Sequence, residues 1–213
     1  RGRIYQAFER TSDALTDYSE AIRLGLETVL LFYLRGSLYK EDGRLQDALS
    51  DFNCAVLLGA DDPEIFFCRG RTFEDLGFMG EALADYDRAI ELNPEYASVF
   101  LSRGQIEFAL GSVDEALADY DQALELDPEN AAAYLSRGGL QEALGRSEAA
   151  ITDYGKAIHL EPQQGKAYYL RAMVYTALGL LKEALVDYND AIRINPQNAE
   201  VLSNRGDVLL ALD

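Results

Sequence analysis

The chain has 213 residues, 26% charged, 48% apolar and 10% aromatic, which is globular composition and excludes an intrinsically disordered protein. Nineteen Lys and Arg against 37 Asp and Glu leave a net charge of −18, a field that repels nucleic acid and anionic membrane surfaces and argues against a nucleic-acid reader. Cys54 and Cys68 are the only cysteines, so reduced packing thiols in a reducing, cytoplasmic compartment are the expectation. The longest apolar run, residues 29–34, is too short to span a bilayer, and no membrane insertion is expected. The sequence does not begin with Met, which suggests a fragment, so an upstream targeting segment is compatible with it.

Along the chain the dipeptide Arg-Gly returns at Arg1, Arg35, Arg69, Arg103, Arg137 and Arg205, always in steps of 34 or 68 residues, with Arg171-Ala172 at the missing place. In the same frame Ala14, Ala48, Ala82, Ala116, Ala150 and Ala184 are each followed four residues later by Tyr18, Phe52, Tyr86, Tyr120, Tyr154 and Tyr188. A period of this length marks stacked supersecondary units. The frame divides the chain into a partial unit 1–28, complete units 29–62, 63–96, 97–130, 131–164 and 165–198, and a final single helix 199–213. No segment is left for a second domain, so one continuous array over 1–213 is predicted.

Each unit reads as two helices. Gly43, Gly77, Gly111, Gly145 and Gly179 follow the first amphipathic stretch, where a helix ends most cheaply on a left-handed residue. Pro94, Pro128, Pro162 and Pro196 follow the second and stop it, since proline lacks an amide proton and disfavours helix in the residue before it. The first two junctions, around Gly25 and Gly59, lack that proline. Ala-x-x-x-Tyr-x-x-Ala places all three on one helical face, predicted as core.

The pattern resembles the tetratricopeptide repeat over the whole chain. Two departures stand out: Arg occupies the place before the glycine where that family usually has Leu, and Phe32, Phe66, Phe100, Tyr134, Tyr168 and Leu202 hold the place of its Trp. The resemblance implies an all-α, right-handed superhelical solenoid whose first helices line a concave surface and whose second helices face outward. Both ends then read as cut from a longer array or as contacts for another chain, with end-to-end self-association as one outcome.

Arg35, Arg69, Arg103, Arg137 and Arg171 run in phase with Asp51, Asp85, Asp119, Asp153 and Asp187. A periodic charge is expected to meet a periodic countercharge, and the reading here pairs each Arg with the Asp of the preceding unit, as Arg103 with Asp85, to form a structural ladder. The alternative is an anion-binding row.

Chemistry is sparse. A single histidine, His159, removes most acid-base, nucleophilic and zinc schemes. No phosphate-binding glycine loop is present, and the acidic stretch 59–64 lacks the ligand spacing of a calcium loop. Asp62 before Pro63 is predicted to cap a helix. No enzyme, cofactor or metal is expected.

Function should then sit on the first helices. Facing inward in the register of the resemblance are Tyr33 and Ser37, Phe67 and Arg71, Leu101 and Gln105, Leu135, and Tyr169 and Met173. Tyr33, Phe67, Leu101, Leu135 and Tyr169 form an apolar row expected to face solvent, which marks a binding surface. The two-carboxylate clamp by which some members of the family grip acidic chaperone tails is absent, its places holding Tyr33, Ser37, Cys68, Ser98 and Ser102; an asparagine ladder is absent too, only Asn204 qualifying. The expected partner is a protein or peptide segment with apolar anchors and basic flanks. A rigid spacer in a larger assembly, or the repeat arm of an enzyme with its catalytic domain elsewhere, are the alternatives.

Overall fold

A computed structural model describes residues 11–212; residues 1–10, with Arg1-Gly2, and Asp213 lie outside the described residues. Twelve helices and no strand appear among the described residues: α1 (Thr11–Arg23), α2 (Val29–Glu41), α3 (Leu45–Leu57), α4 (Pro63–Asp75), α5 (Met79–Leu92), α6 (Ala97–Leu110), α7 (Val113–Leu126), α8 (Ala131–Ala143), α9 (Ser147–Leu160), α10 (Gly165–Ala177), α11 (Leu181–Ile194) and α12 (Ala199–Leu212). Even-numbered helices are the first helices of the units and odd-numbered ones the second, so the fold is an all-α repeat solenoid. The chain forms two compact bodies, Arg1–Ile106 and Glu107–Asp213.

The helix boundaries follow from local chemistry. Seven glycines, Gly25, Gly43, Gly59, Gly77, Gly111, Gly145 and Gly179, have φ between +71° and +90°. Each closes its helix with the paired bonds of a Schellman motif, as Gly43 N–H to the Lys40 carbonyl at 3.0 Å and Arg44 N–H to that of Tyr39 at 2.8 Å. Gly25 and Gly59 show that the two junctions without proline are ended by the same device. At the proline junctions the preceding residue is extended instead, Asn93 having φ −142° and ψ 93°. Caps complete the starts: Thr28 Oγ1 accepts from Leu31 N–H at 3.2 Å and Asp62 Oδ1 from Glu64 N–H at 3.0 Å, with Pro63 at the first turn.

In the first body Phe66, Ala82, Tyr86, Ala89, Val99 and Ile106 form one buried cluster drawn from α4, α5 and α6. In the second, Tyr168, Ala172, Ala184, Tyr188, Ala191, Val201 and Val208 do the same for α10, α11 and α12. The recurring Arg-Gly glycine is where these helices touch: a Cβ at Gly70 or Gly138 would lie 2.7 Å from the ring of Tyr86 or Tyr154. The aromatic of the second helix thus lies against the bare backbone of the first, which is why glycine and ring recur in phase. First helices lie side by side, α2 against α4 and α8 against α10, and it is their shared face that carries the candidate residues.

Candidate interaction surface

In the first body, Tyr33, Phe67 and Leu101 are half-buried instead of solvent-facing. The exposed row expected from the sequence is corrected here: the rings of Tyr33 and Phe67 lean back onto the second helix of their own unit. Tyr33 lies 6.4 Å from Phe52 and Phe67 5.9 Å from Tyr86. Phe67 is also 5.2 Å from Tyr96, which enters from the loop before α6. The Tyr96 hydroxyl donates to Glu64 Oε2, and Cys68 Sγ is 3.4 Å from Glu64 Oε1. Glu64 and Tyr96 were not among the residues that sequence reasoning selected, since the residue type at their places does not recur: the place of Glu64 holds Leu30, Ser98, Ala132, Lys166 and Glu200, and that of Tyr96 holds Thr28, Asp62, Asn130, Gln164 and Asn198. Burial, with Cys68 and Glu64 adding negative charge beside it, pushes the Tyr33 hydroxyl up to about 12. Burial and then Glu64 push the Cys68 thiol up to about 12 as well, which keeps it protonated and unreactive at neutral pH.

Around this aromatic floor lie the accessible polar groups. Arg71 and Gln105 are exposed, and the Arg71 guanidinium stands 5.9 Å over the Phe67 ring. Ser37 Oγ is turned inward and donates to the Tyr33 carbonyl at 2.8 Å. Lys40 on α2 meets Asp75 on α4 at 3.0 Å, and burial lowers its pKa against the opposing pull of that carboxylate. Tyr86 reaches through to Glu74 at 2.7 Å.

In the second body Leu135 is half-buried and packs on Ala150, Tyr154 and Val174. Tyr169 is half-buried 6.3 Å from Tyr188, and its hydroxyl accepts from Asn204 Nδ2 at 3.2 Å. Met173 is half-buried on the same helix. Of the candidate residues, therefore, Tyr33, Ser37, Phe67, Arg71, Leu101 and Gln105 belong to one body, and Leu135, Tyr169 and Met173 to the other.

The arginines do not pair as the sequence reading placed them. Four of the aspartates directly before the second-helix aromatic, Asp51, Asp85, Asp153 and Asp187, are turned toward the first helix of their own unit, where each accepts two bonds from the Arg sixteen residues earlier. Arg35 binds Asp51 at 2.7 and 2.7 Å, Arg69 binds Asp85 at 2.8 and 2.6 Å, Arg137 binds Asp153 at 2.8 and 2.7 Å, and Arg171 binds Asp187 at 2.7 and 2.8 Å. Asp85 is thus taken by Arg69, and the partner of Arg103 in the preceding unit is Asp87, at 2.6 Å. Asp119 is buried like the other aspartates of the series. An Nη1 reaches back to the preceding unit in five of the arginines: Arg35, Arg69, Arg103, Arg137 and Arg205 donate to Ser19, Asn53, Asp87, Asp121 and Asn189. The guanidiniums also stand over the ring three residues earlier, Phe32, Phe66, Phe100 and Tyr134, at 5.6 to 6.0 Å. A planar fork satisfied on two sides and stacked on a ring, as at Arg35, Arg69 and Arg137, leaves no free donor edge there for an anion.

Among the described residues no group of three or more His, Cys, Asp or Glu side chains could hold a metal ion, and no helix is long and apolar enough to cross a membrane. Cys54 and Cys68 are free thiols, both half-buried.

Models of the tetratricopeptide repeat match residues 1–63, residues 63–96 and 131–164, and residues 104–145 and 172–213. The chain belongs to the tetratricopeptide repeat family. No curated protein matches it. Among solved structures, this tetratricopeptide repeat chain is similar to MamA from Desulfovibrio magneticus RS-1, at 18% identity and a TM-score of 0.72 over 80% of this chain and 97% of the other. It is similar also to YrrB, described as a tetratricopeptide repeat protein with an unusual peptide-binding site, at 20% identity and a TM-score of 0.70 over 89% and 97%. A chain of the APC/C hetero-tetramer Cut9-Hcn1 aligns at 17% identity with a TM-score of 0.80, over 98% of this chain and 41% of that one. These likenesses are of fold. Proteins built of this repeat are typically interaction scaffolds.

Proposed function

We propose that this tetratricopeptide repeat chain is a non-enzymatic, cytoplasmic scaffold forming one array, which binds a peptide segment of a partner protein on its concave first-helix face. The observation that carries the reading is the floor of α2 and α4 in the first body, where the half-buried rings of Tyr33 and Phe67 lie beneath exposed Arg71 and beside Glu64, Glu74 and Asp75. Half-buried rings bordered by polar groups suit apolar anchors of an extended or helical segment, and surrounding carboxylates favour Lys or Arg beside those anchors. The charge of −18 speeds encounter with such a segment. The second body offers Leu135, Tyr169 and Met173 for the same use. The peptide-binding site named for YrrB lends the reading support by fold analogy alone.

The test places a photo-crosslinking amino acid singly at Ser37, Arg71 or Gln105, and for comparison at exposed Val186 on the second helix α11. A partner trapped from the first three positions and not from Val186 supports the reading. A partner trapped from Val186 alone overturns it in favour of an outer-face contact.

A further inference from the structure

At one edge of the first body, where second helices hand over to first helices, five leucines face solvent: Leu24 (71% exposed), Leu26 (55%), Leu30 (53%), Leu57 (86%) and Leu58 (46%). They come from two successive junctions that converge, since Ile22, Val29, Cys54, Val56 and Ala60 all pack on the buried cluster of Phe32, Ala55 and Ile65. The leucines therefore fringe one shared apolar cluster.

The repeat provides its own comparison. In the 34-residue frame the place of Leu57 is held elsewhere by Arg23, Glu91, Glu125, His159 and Arg193, and that of Leu30 by Glu64, Ser98, Ala132, Lys166 and Glu200. The unit folds without leucine at either place. Where Leu26 stands, later units have Ala60 and then proline in every case, so the first junctions have exchanged polar, proline-bearing turns for glycine-ended apolar ones. The place of Leu24 and Leu58 is apolar in every unit, held later by Leu92, Leu126, Leu160 and Ile194, but Leu26, Leu30 and Leu57, which the fold does not require, gather at the same edge and mark a docking surface.

The charge of the rim selects the occupant. Glu27, Asp61 and Asp62 are exposed beside the leucines, and the nearby Arg23 is neutralised by Glu20 at 2.6 Å. Like charge disfavours a second copy of this acidic chain and an anionic lipid surface, and opposite charge favours a basic partner. We propose that this leucine edge docks an amphipathic helix of another protein, with an apolar stripe flanked by Lys and Arg.

The test uses the full chain and a fluorescent amphipathic helix of leucine and lysine, set against a shuffled peptide of the same composition. The native chain should bind the amphipathic peptide about tenfold more tightly than the shuffled one. Leu26→Ser, Leu30→Ser and Leu57→Ser together should abolish that margin without lowering the melting temperature, whereas Val186→Ser on exposed α11 should leave it intact. If the triple variant fails to fold, Leu57→Arg, which restores the residue found in frame at Arg23 and Arg193, carries the same expectation. Equal binding of both peptides by the native chain, a margin kept in the leucine variants, or one lost in Val186→Ser overturns the proposal. So does a concentration-dependent dimer in sedimentation that the leucine variants dissolve, which would make a second copy the occupant.

Discussion

At the scale of the residue, the unit turns on one arginine and one aspartate. The aspartate side chains are 4% to 7% exposed, so their charge is tolerated only because the arginine fork meets both oxygens. Arg137 shows the difference between its two partners: Asp153 is buried in its own unit, and Asp121, in the preceding one, is 56% exposed. Removing the buried partner by Asp153→Ala leaves the arginine without the bidentate acceptor that holds it and should cost about 3 kcal/mol. Removing the exposed one by Asp121→Ala should cost less than about 1 kcal/mol. Urea denaturation of both variants checks this, and equal losses would show that the burial of Asp153 does not set the worth of the pair. The period and phase of both series are legible in the sequence, but a 34-residue period alone cannot distinguish a pair within a unit from one between units.

At the scale of the element, neighbouring units are joined by second-helix residues that accept from the next unit's arginine, and these differ from junction to junction. Ser19, Asn53, Asp87, Asp121 and Asn189 all accept such a bond, while the equivalent place in α9 is Gly155, whose missing Cβ would stand 3.3 Å from Arg171 Nη1. A glycine within a helix also weakens the helix itself. Gly155→Asp should therefore supply the bond made at Asp121 and improve α9, raising stability by about 1 kcal/mol. A melting temperature unchanged or lowered would show that the flexible guanidinium cannot move aside for the new side chain. Helix ends were legible because glycine and proline act locally. The first two junctions were the least legible, and the φ of +90° at Gly25 and +86° at Gly59 shows that glycine alone closes them.

At the scale of the whole molecule, stability is a sum of neighbour interfaces, and buried hydroxyls and thiols make that sum sensitive to alkali. Tyr33 rises from 10.0 to about 12 and Cys68 from 9.0 to about 12, both chiefly through burial; Tyr86 and Tyr154 are raised for the same reason, with Glu74 and Glu142 adding to it. Each group is held protonated in the folded chain, so its contribution is complete below the unfolded value and is lost as pH rises through the folded one. The urea midpoint should accordingly fall from about pH 9 toward pH 12, and less steeply in Tyr33→Phe with Cys68→Ala. A midpoint level across that range would show that these groups ionise in the folded chain as they do in the unfolded one. The apolar row of Tyr33, Phe67, Leu101, Leu135 and Tyr169 was legible as a row, but not its half-burial, because helical spacing assigns a side chain to a face and leaves its depth open.

The sequence by itself determined the period, the two-helix unit, the place of nearly every helix end and the family, because each rests on local rules: backbone freedom at glycine, the missing amide of proline, and apolar spacing along a helix. Only the tertiary structure decided which aspartate each arginine meets, how far the first-helix rings withdraw onto Phe52, Tyr86 and Tyr188, and that Tyr96 and Glu64 join Phe67 and Cys68. Those choices depend on how one helix lies against the next. The bare backbone at Gly70 and Gly138 sets that closeness by admitting the rings of Tyr86 and Tyr154.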